Sequence, residues 1–245
     1  MKKSLLDQVQ SDEREQDDIA LAKGGMNLKA AKLKVLQFFP SLSSIMKRTK
    51  VVDKGGSTSG GVAATNGDSV MFNASRMANY CESKQAGIYA HELKHIERGD
   101  TNKDWSQEFN EGTDAVINEE VRASGLKLDG CIDIPNAREY GAEKIRDILV
   151  KIRAFIRKDA QKAEMDSAEG KQQGYKRKEE HFTEENLNDA IFGEHSMWYR
   201  AMDYLAFKEK QVKEKLWAIP AKLKGLFTPD PEKQDDFGGG LVPAF

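Results

Sequence analysis

The sequence lacks the features of several common protein classes. Its 245 residues contain two cysteines, Cys81 and Cys131, and neither lies in a CxxC pair or beside a histidine, so we expect free thiols and no cysteine metal site. No apolar run approaches the ~20 residues that cross a bilayer, so no membrane association is expected. The first residues become charged too early for a secretory signal, and we therefore expect a cytoplasmic protein.

An excess of one charge sign is missing as well. Lys and Arg number 38 and Asp and Glu number 40, and the two signs are interspersed, which argues against a surface dedicated to nucleic acid. With 39% hydrophobic residues, the chain can bury a core. We expect an N-terminal extension at 1–16, a single domain at 17–227 with its core at about 28–157 and a helical C-terminal part at about 183–227, and a flexible tail at 228–245.

Histidine is scarce, and its placement is informative. Two of the 4 histidines fall in His91-Glu92-Leu93-Lys94-His95, an H-E-x-x-H pattern in a segment without proline. On a helix, residues four apart lie on one face with about 6 Å between them, so both imidazoles can bind one metal ion. The alternative is a helix with two surface histidines. A separate apolar stripe favours the metal site, because Tyr89, Leu93 and Ile96 can be buried while the histidines face elsewhere.

Glu92 supplies the chemistry that this pattern needs. It lies one step round the helix from His91, so its carboxylate would stand beside the metal ion. There it can accept a proton from a metal-activated water, whose pKa the ion has lowered. The motif therefore predicts a zinc-dependent peptidase.

The rest of the pattern predicts a mainly α (α+β) fold, a zincin-like helical domain with a small β-hairpin beside the motif helix. Apolar spacing and breaks predict two or three helices between about Asp17 and Lys50, the motif helix ending at Gly99, and helices at about Ser106–Ser124, through Ile145–Ile156 and through Leu187–Leu205. The hairpin is predicted because Val62–Thr65 and Ser69–Phe72 flank Asn66-Gly67, a dipeptide suited to a tight type I′ turn. An extended edge there could pair with a substrate backbone.

Two histidines leave a metal site incomplete, and a ligand from a second helix is needed. The helix at Ser106–Ser124 offers Glu111 and Asp114, which are three residues apart and lie on neighbouring positions of one face. Geometry from the sequence does not separate these two acids. Asp100 is also close to the motif, but it follows Gly99 and would have to fold back.

Four blocks of the sequence resemble a bacterial and phage family of putative metallopeptidase domains, which often precede a von Willebrand A-like domain. The resemblance runs from about Leu36 to Leu149, and its blocks are Thr65-Asn66-Gly67 with Phe72-Asn73, then Ala90–His95, then Phe109-Asn110 with Asp114 and Ile117-Asn118, then Glu143 before Ile148-Leu149. The resemblance implies that Asp114, rather than Glu111, is the third ligand. Where the family usually has a further histidine after the motif, this chain has Asp100. No Asp-x-Ser-x-Ser signature is present, so the chain resembles the peptidase part alone.

Motif and resemblance together predict a zinc metallopeptidase that acts on a protein or peptide substrate, with Glu92 as the catalytic base and Zn2+ as the cofactor. The predicted zinc ligands are His91, His95 and Asp114. When water attacks the peptide carbonyl, the carbonyl oxygen becomes an oxyanion that needs a hydrogen-bond donor. The candidates by residue type are Tyr140, His195 and Tyr199.

The competing hypothesis is a non-catalytic, zinc-stabilised binding or regulatory protein with a regulatory protein partner. Its metal would be closed by a fourth protein ligand, for which Glu111 is the candidate beside Asp114. A third hypothesis is a partner-binding role for the basic stretch Lys208–Lys224, which contains Trp217, although such stretches are more often solvated helix faces.

Overall fold

The computed structural model describes residues 22, 24–54, 61–103, 106–168, 182–193 and 195–217. The predicted extension at 1–16 and the predicted tail at 228–245 lie outside these ranges, as does the end of the basic stretch Lys208–Lys224. The predicted boundaries of the single domain stay a prediction. Within the described ranges, no helix combines the length and the apolar composition that a bilayer crossing needs.

Helices make up most of the described chain, which confirms the predicted mainly α (α+β) class. In chain order they are α1 (Leu28–Phe38), α2 (Ser43–Arg48), α3 (Ala74–Met77), α4 (Glu82–Arg98), α5 (Gln107–Ala123), α6 (Ala137–Tyr140), α7 (Ala142–Ala168), α8 (Glu184–Ile191) and α9 (His195–Trp217), with 3-10 turns at Pro40–Leu42 and Asp100–Asn102. The helix ends follow local chemistry. Gly99 ends α4 in a left-handed conformation at φ 65°, and the Ser106 side chain caps α5 by accepting from the backbone N–H of Phe109.

A small sheet of three strands lies beside these helices. Its strands are β1 (Lys50–Asp53), β2 (Ala63–Thr65) and β3 (Ser69–Phe72), in the order β1-β3-β2. The predicted hairpin is confirmed, since β2 pairs with β3 in antiparallel fashion. Strand β1 was not predicted. It runs parallel to β3, and its four residues are too few to show a period-2 pattern in the sequence.

The turn of this hairpin differs from the predicted type I′ turn. That turn requires positive φ at both central residues, but here Gly67 alone has it, at φ 96°, and Asn66 does not. Instead Asn66, Gly67 and Asp68 form a three-residue connection. The Asn66 side-chain oxygen accepts from the backbone N–H groups of Asp68 at 3.1 Å and Ser69 at 2.9 Å, so the side chain stabilises the turn in place of the tighter backbone form.

The C-terminal helical part also differs from the prediction. One helix through Leu187–Leu205 is wrong, because α8 ends at Ile191 and α9 begins at His195. Gly193 lies between them at φ 112°, a backbone conformation that no right-handed helix contains. The apolar positions still fall on buried faces of both helices, so the spacing alone did not reveal the break.

Two hydrophobic clusters form the core, and α5 contributes to both. The first joins α1, the sheet and α4, and it includes Tyr89 and Leu93 of the motif helix. The second joins α7, α8 and α9 around Trp198. Helix α5 gives Ile117 to the first cluster and Ala115 to the second. Its position is therefore fixed from two sides by apolar packing.

Gly87 allows the segment after α5 to lie directly against α4. A Cβ at Gly87 would overlap the backbone carbonyl oxygen of Lys127. The replacement Gly87→Ala should therefore lower the free energy of unfolding by ~1–3 kcal/mol, although alanine is otherwise the better helix former. The matched control is Ser83→Ala, one turn earlier on α4, which should leave stability unchanged or slightly raised. Urea denaturation measures both, and equal stability of the two variants would show that this close approach is not made.

Candidate metal centre

The two histidines of the motif meet at one point in space. Helix α4 places His91 and His95 one turn apart, and their Nε2 atoms lie 3.0 Å from each other. The ring centroids are 4.6 Å apart, with the ring planes at 77°. Both side chains are largely buried, at 15% and 10% exposure, so the point where they meet lies in a cleft and not on an open surface.

Asp114 joins the two rings from α5. Its Oδ1 atom lies 3.0 Å from Nε2 of His95 and 3.6 Å from Nε2 of His91. Among the described residues, these three side chains are the one group of His, Cys, Asp or Glu whose ligand atoms all lie within 4.8 Å of one another. One face of α4 and one residue of α5 thus present three ligand atoms to a common centre.

The spacing of these atoms suits a small tetrahedral metal ion. Ligand atoms about 2.0–2.1 Å from such an ion lie about 3.3 Å from each other. The observed separations of 3.0, 3.0 and 3.6 Å bracket that value. Two imidazole nitrogens and one carboxylate are also a donor set that zinc accepts, with a fourth position left for another ligand. The residues present therefore fit a zinc ion.

His95 and Asp114 also interact directly as an ion pair. Burial lowers the pKa of His95, but hydrogen bonds to Asp100 and Asp114 outweigh burial and raise this pKa to about 10. Burial raises the pKa of Asp114, and the nearby rings of His91 and His95 outweigh burial, so the pKa lies well below its usual range. A metal ion can bind Nε2 of His95 only when that nitrogen carries no proton, so metal binding there is coupled to proton release.

Each histidine has a partner on its other ring nitrogen. Nδ1 of His91 lies 2.7 Å from Oδ1 of Asn118, a buried residue of α5. Nδ1 of His95 lies 3.3 Å from Oδ2 of Asp100, and Lys103 binds the other oxygen of that carboxylate at 3.0 Å. These contacts turn the Nε2 atom of each ring towards the centre.

Asp100 does fold back onto the motif helix. The left-handed Gly99 reverses the chain, and the 3-10 turn Asp100–Asn102 then brings the carboxylate under His95. The sequence signal for this was the pair Gly99-Asp100 directly after the motif helix. Asn118 gave no such signal, because a buried amide inside a helix is visible only after packing is known.

Glu92 lies on the wall of the same cleft. The residue is 7% exposed, and burial raises its pKa above the usual carboxyl range, against the opposing effect of His91 and His95. The cleft has a volume of about 270 Å³, and its walls are β2, the motif residues, Asp100, Thr101 and the first turns of α5. A carboxylate with a raised pKa at the edge of such a cleft is suited to accept and return protons.

Strand β2 forms another wall of this cleft and lies at the edge of the sheet. The residues on either side of β2 are hydrogen-bonded across the hairpin, since the carbonyl of Val62 accepts from the N–H of Asn73 and the N–H of Asn66 donates to the carbonyl of Ser69. In this register, the backbone groups of Ala63 and Thr65 point away from β3. They are therefore directed to the side of β2 that pairs with no other strand in the described part of the chain.

Glu111 lies elsewhere, although it is only three residues from Asp114. Its two oxygens bind the buried guanidinium of Arg153, each at 2.9 Å, and Arg153 also contacts Glu108 and Glu184. The carboxylates hold the pKa of Arg153 above its ordinary value, in spite of burial. Glu111 thus ties α5 to α7 and does not border the cleft.

The three residues suggested as oxyanion donors are also not at the cleft. Tyr140 lies against the second hydrophobic cluster with Lys144 above its ring, His195 is half exposed near Asp133, and Tyr199 is 56% exposed. None of them borders the cleft. The uncharged polar side chains that do border it, besides the histidines, are Thr65, Thr101, Asn110 and Thr113.

The chain matches one family model, described as a putative metallopeptidase domain, over residues 25–195, which is more than half of its length. The matched range contains the sheet, the motif helix and α5. A domain of this description implies a bound metal ion. No curated protein and no solved structure matches the chain.

Asp114 and Glu111, both on α5, should respond differently to loss of charge. Asp114→Asn removes a candidate ligand and should weaken binding of a divalent metal ion at least ~100-fold, more than loss of a residue that merely orients a ligand. Glu111→Gln should leave metal affinity unchanged but lower the free energy of unfolding by ~1–3 kcal/mol, because Arg153 loses a charged partner. Chelator competition and urea denaturation measure the two effects. The reverse ranking of metal affinities would transfer the ligand role to Glu111.

Proposed function

Because the chain belongs to the family of putative metallopeptidase domains, we propose that it is a zinc-dependent metallopeptidase of the H-E-x-x-H type. The zinc ion would be held by His91, His95 and Asp114. One observation carries the proposal: the buried carboxylate of Glu92 lies on the wall of the cleft into which the three ligand atoms converge. A purely structural metal site has no need of such a group.

Three protein ligands are the number typical of a catalytic zinc site, where the fourth coordination position would be taken by water or substrate. A zinc ion bound there would polarise a substrate carbonyl as a Lewis acid and lower the pKa of water. The chain itself would orient the ligands through Asn118 and Asp100. It also forms the cleft in which a substrate would lie beside them.

Glu92 would act as the general base and then as the general acid. Its carboxylate can take a proton from the attacking water and later give it to the amine that leaves the broken peptide bond. The raised pKa suits the first step, since a more basic carboxylate binds the proton of the water more firmly.

Strand β2 supports a polypeptide substrate. The backbone groups of Ala63 and Thr65 face away from β3, and both residues border the cleft. An extended peptide can add to such an edge as a further strand, which aligns its backbone beside Glu92 and the metal ligands. This mode of binding recognises the main chain and not one particular side chain.

The alternative of a zinc-stabilised regulatory protein has less support. Its fourth ligand would be Glu111, whose oxygens are both bound to Arg153. Within the part of the chain that the structure describes, no other His, Cys, Asp or Glu joins the three ligand atoms in one group. An open fourth position suits catalysis better than a structural role.

Replacement of Glu92 by glutamine tests the proposed activity. Glu92→Gln keeps the size of the side chain and removes its basic oxygen, so hydrolysis should fall by at least ~100-fold while zinc content stays at about one ion per chain. The matched control is Glu97→Gln on the same helix, whose carboxylate binds Lys94 and does not border the cleft. Cleavage of peptide libraries and unfolded proteins, read by mass spectrometry, measures activity, and elemental analysis measures zinc.

The two functional hypotheses give different results in this experiment. A peptidase loses its cleavage products in Glu92→Gln and keeps them in Glu97→Gln. If the wild type and Glu92→Gln both bind zinc and neither cleaves any substrate in the library, the peptidase proposal gives way to the regulatory one.

Proline substitutions on β2 test the proposed binding of substrate backbone. Ala63→Pro removes an N–H that faces away from β3, so the fold should persist while kcat/KM falls by about 3–10-fold, the loss expected for one hydrogen bond. Ala64→Pro removes an N–H of the sheet ladder and should lower the melting temperature. An Ala63→Pro variant with unchanged kcat/KM would exclude backbone pairing at this residue.

A further inference from the structure

Asn118 is the most completely buried polar residue near the metal centre, at 1% exposure. It lies on α5, and its amide stands between two fixed groups. On one side, its Nδ2 atom donates to the backbone carbonyl of Ile132 at 3.0 Å. On the other side, its Oδ1 atom lies 2.7 Å from Nδ1 of His91.

The carbonyl of Ile132 decides which way this amide points. A carbonyl can only accept, so the NH₂ group of Asn118 must face Ile132 and the amide oxygen must face His91. An amide oxygen is also only an acceptor, so Nδ1 of His91 must carry a proton in order to bond with it. In a neutral ring, Nε2 then has the lone pair, and Nε2 is the atom that points to the common centre.

This position of the proton is the opposite of the one that a histidine side chain ordinarily prefers. A neutral histidine left to itself carries its proton mainly on Nε2, which here would place a hydrogen where a metal ion has to bind. The bond to Asn118 reverses that preference. The carboxylate of Asp100 orients His95 in the same way. Both oxygens of a carboxylate accept hydrogen bonds, so no further group is needed to decide which of them faces the ring.

We propose that Asn118 is a positioning residue that holds His91 as the Nδ1–H tautomer, and that the Ile132 carbonyl sets its orientation. The segment between α5 and α6 therefore takes part in building the metal centre without touching it. Arg122 reinforces this link, since its guanidinium lies 3.4 Å from the same carbonyl and also pairs with Asp133. The inference rests on the proposed role of His91 as a metal ligand, but the tautomer itself can be measured without metal or substrate.

The tautomer is measured by long-range ¹H–¹⁵N correlation of the His91 ring in the full chain, with chelator present and at a pH where the ring is neutral. We expect the wild type to show a protonated Nδ1 and an unprotonated Nε2. In Asn118→Ala the acceptor is lost, so the form with the proton on Nε2 should become populated. Zinc affinity, from chelator competition, should fall by about 10–100-fold in this variant.

Asn118→Asp is the conservative variant that separates tautomer control from structural support. An aspartate keeps an acceptor for Nδ1 of His91 but loses the donor to Ile132, which Asn118→Ala loses as well. Both variants should therefore melt at a lower temperature than the wild type. Only Asn118→Asp should retain the Nδ1–H tautomer, with zinc affinity within a few-fold of the wild type.

Three results would overturn the proposal. A wild-type ring with its proton on Nε2 would do so without any variant. So would an Asn118→Ala variant that keeps the Nδ1–H tautomer and full zinc affinity, or an Asn118→Asp variant whose zinc affinity falls as far as that of Asn118→Ala. If the protein cleaves no peptide but shows these tautomers, the proposed function is contradicted and the role of Asn118 is not. The failure of one proposal can therefore be told from the failure of the other.

Discussion

The packing of α5 against α4 is the constraint on which the candidate site depends. Helix α4 alone supplies His91, Glu92 and His95, but neither the third candidate ligand nor the partner of Nδ1 of His91 lies on it. Both come from α5, as Asp114 and Asn118, which lie one turn apart. A rotation of α5 by one residue would remove both contacts together. Its placement between two hydrophobic clusters resists such a rotation, because it would expose apolar side chains on two faces.

Most of the buried charges on these helices have a partner of opposite charge, which offsets the cost of their desolvation. Asp114 and Asp100 pair with the histidines, and Arg153 is surrounded by three glutamates away from the cleft. Lys94, on the motif helix, contacts Glu97 and Glu120, which also binds Arg98. These pairs link the helices at defined points, whereas the charged groups that act on Glu92, the proposed base, are His91, His95 and Asp114. Its environment is therefore that of a proton carrier and not of a permanent ion pair.

Much of the local structure was predictable. The motif helix, its end at Gly99, the helix Gln107–Ala123 and the hairpin all follow from spacing, capping residues and turn residues close in sequence. Predictions failed where a single side chain, a single glycine or a partner strand decides the local conformation. The Asn66 side chain replaced the type I′ turn, Gly193 divided a continuous apolar stripe into two helices, and the short strand Lys50–Asp53 formed only because β3 was there to pair with it.

By itself, the sequence determined that His91 and His95 share a face and that Glu92 lies beside them, because a helix sets the positions of residues one and four apart. It could not separate Glu111 from Asp114, which differ by only about 60° around their helix. Tertiary packing decided this, since it turns Asp114 towards the histidines and Glu111 towards Arg153. It also decided that Asn118 and Asp100 orient the two rings. Such choices depend on how one helix is rotated against another and where a loop carbonyl lies, and these are set by contacts between segments far apart in the chain.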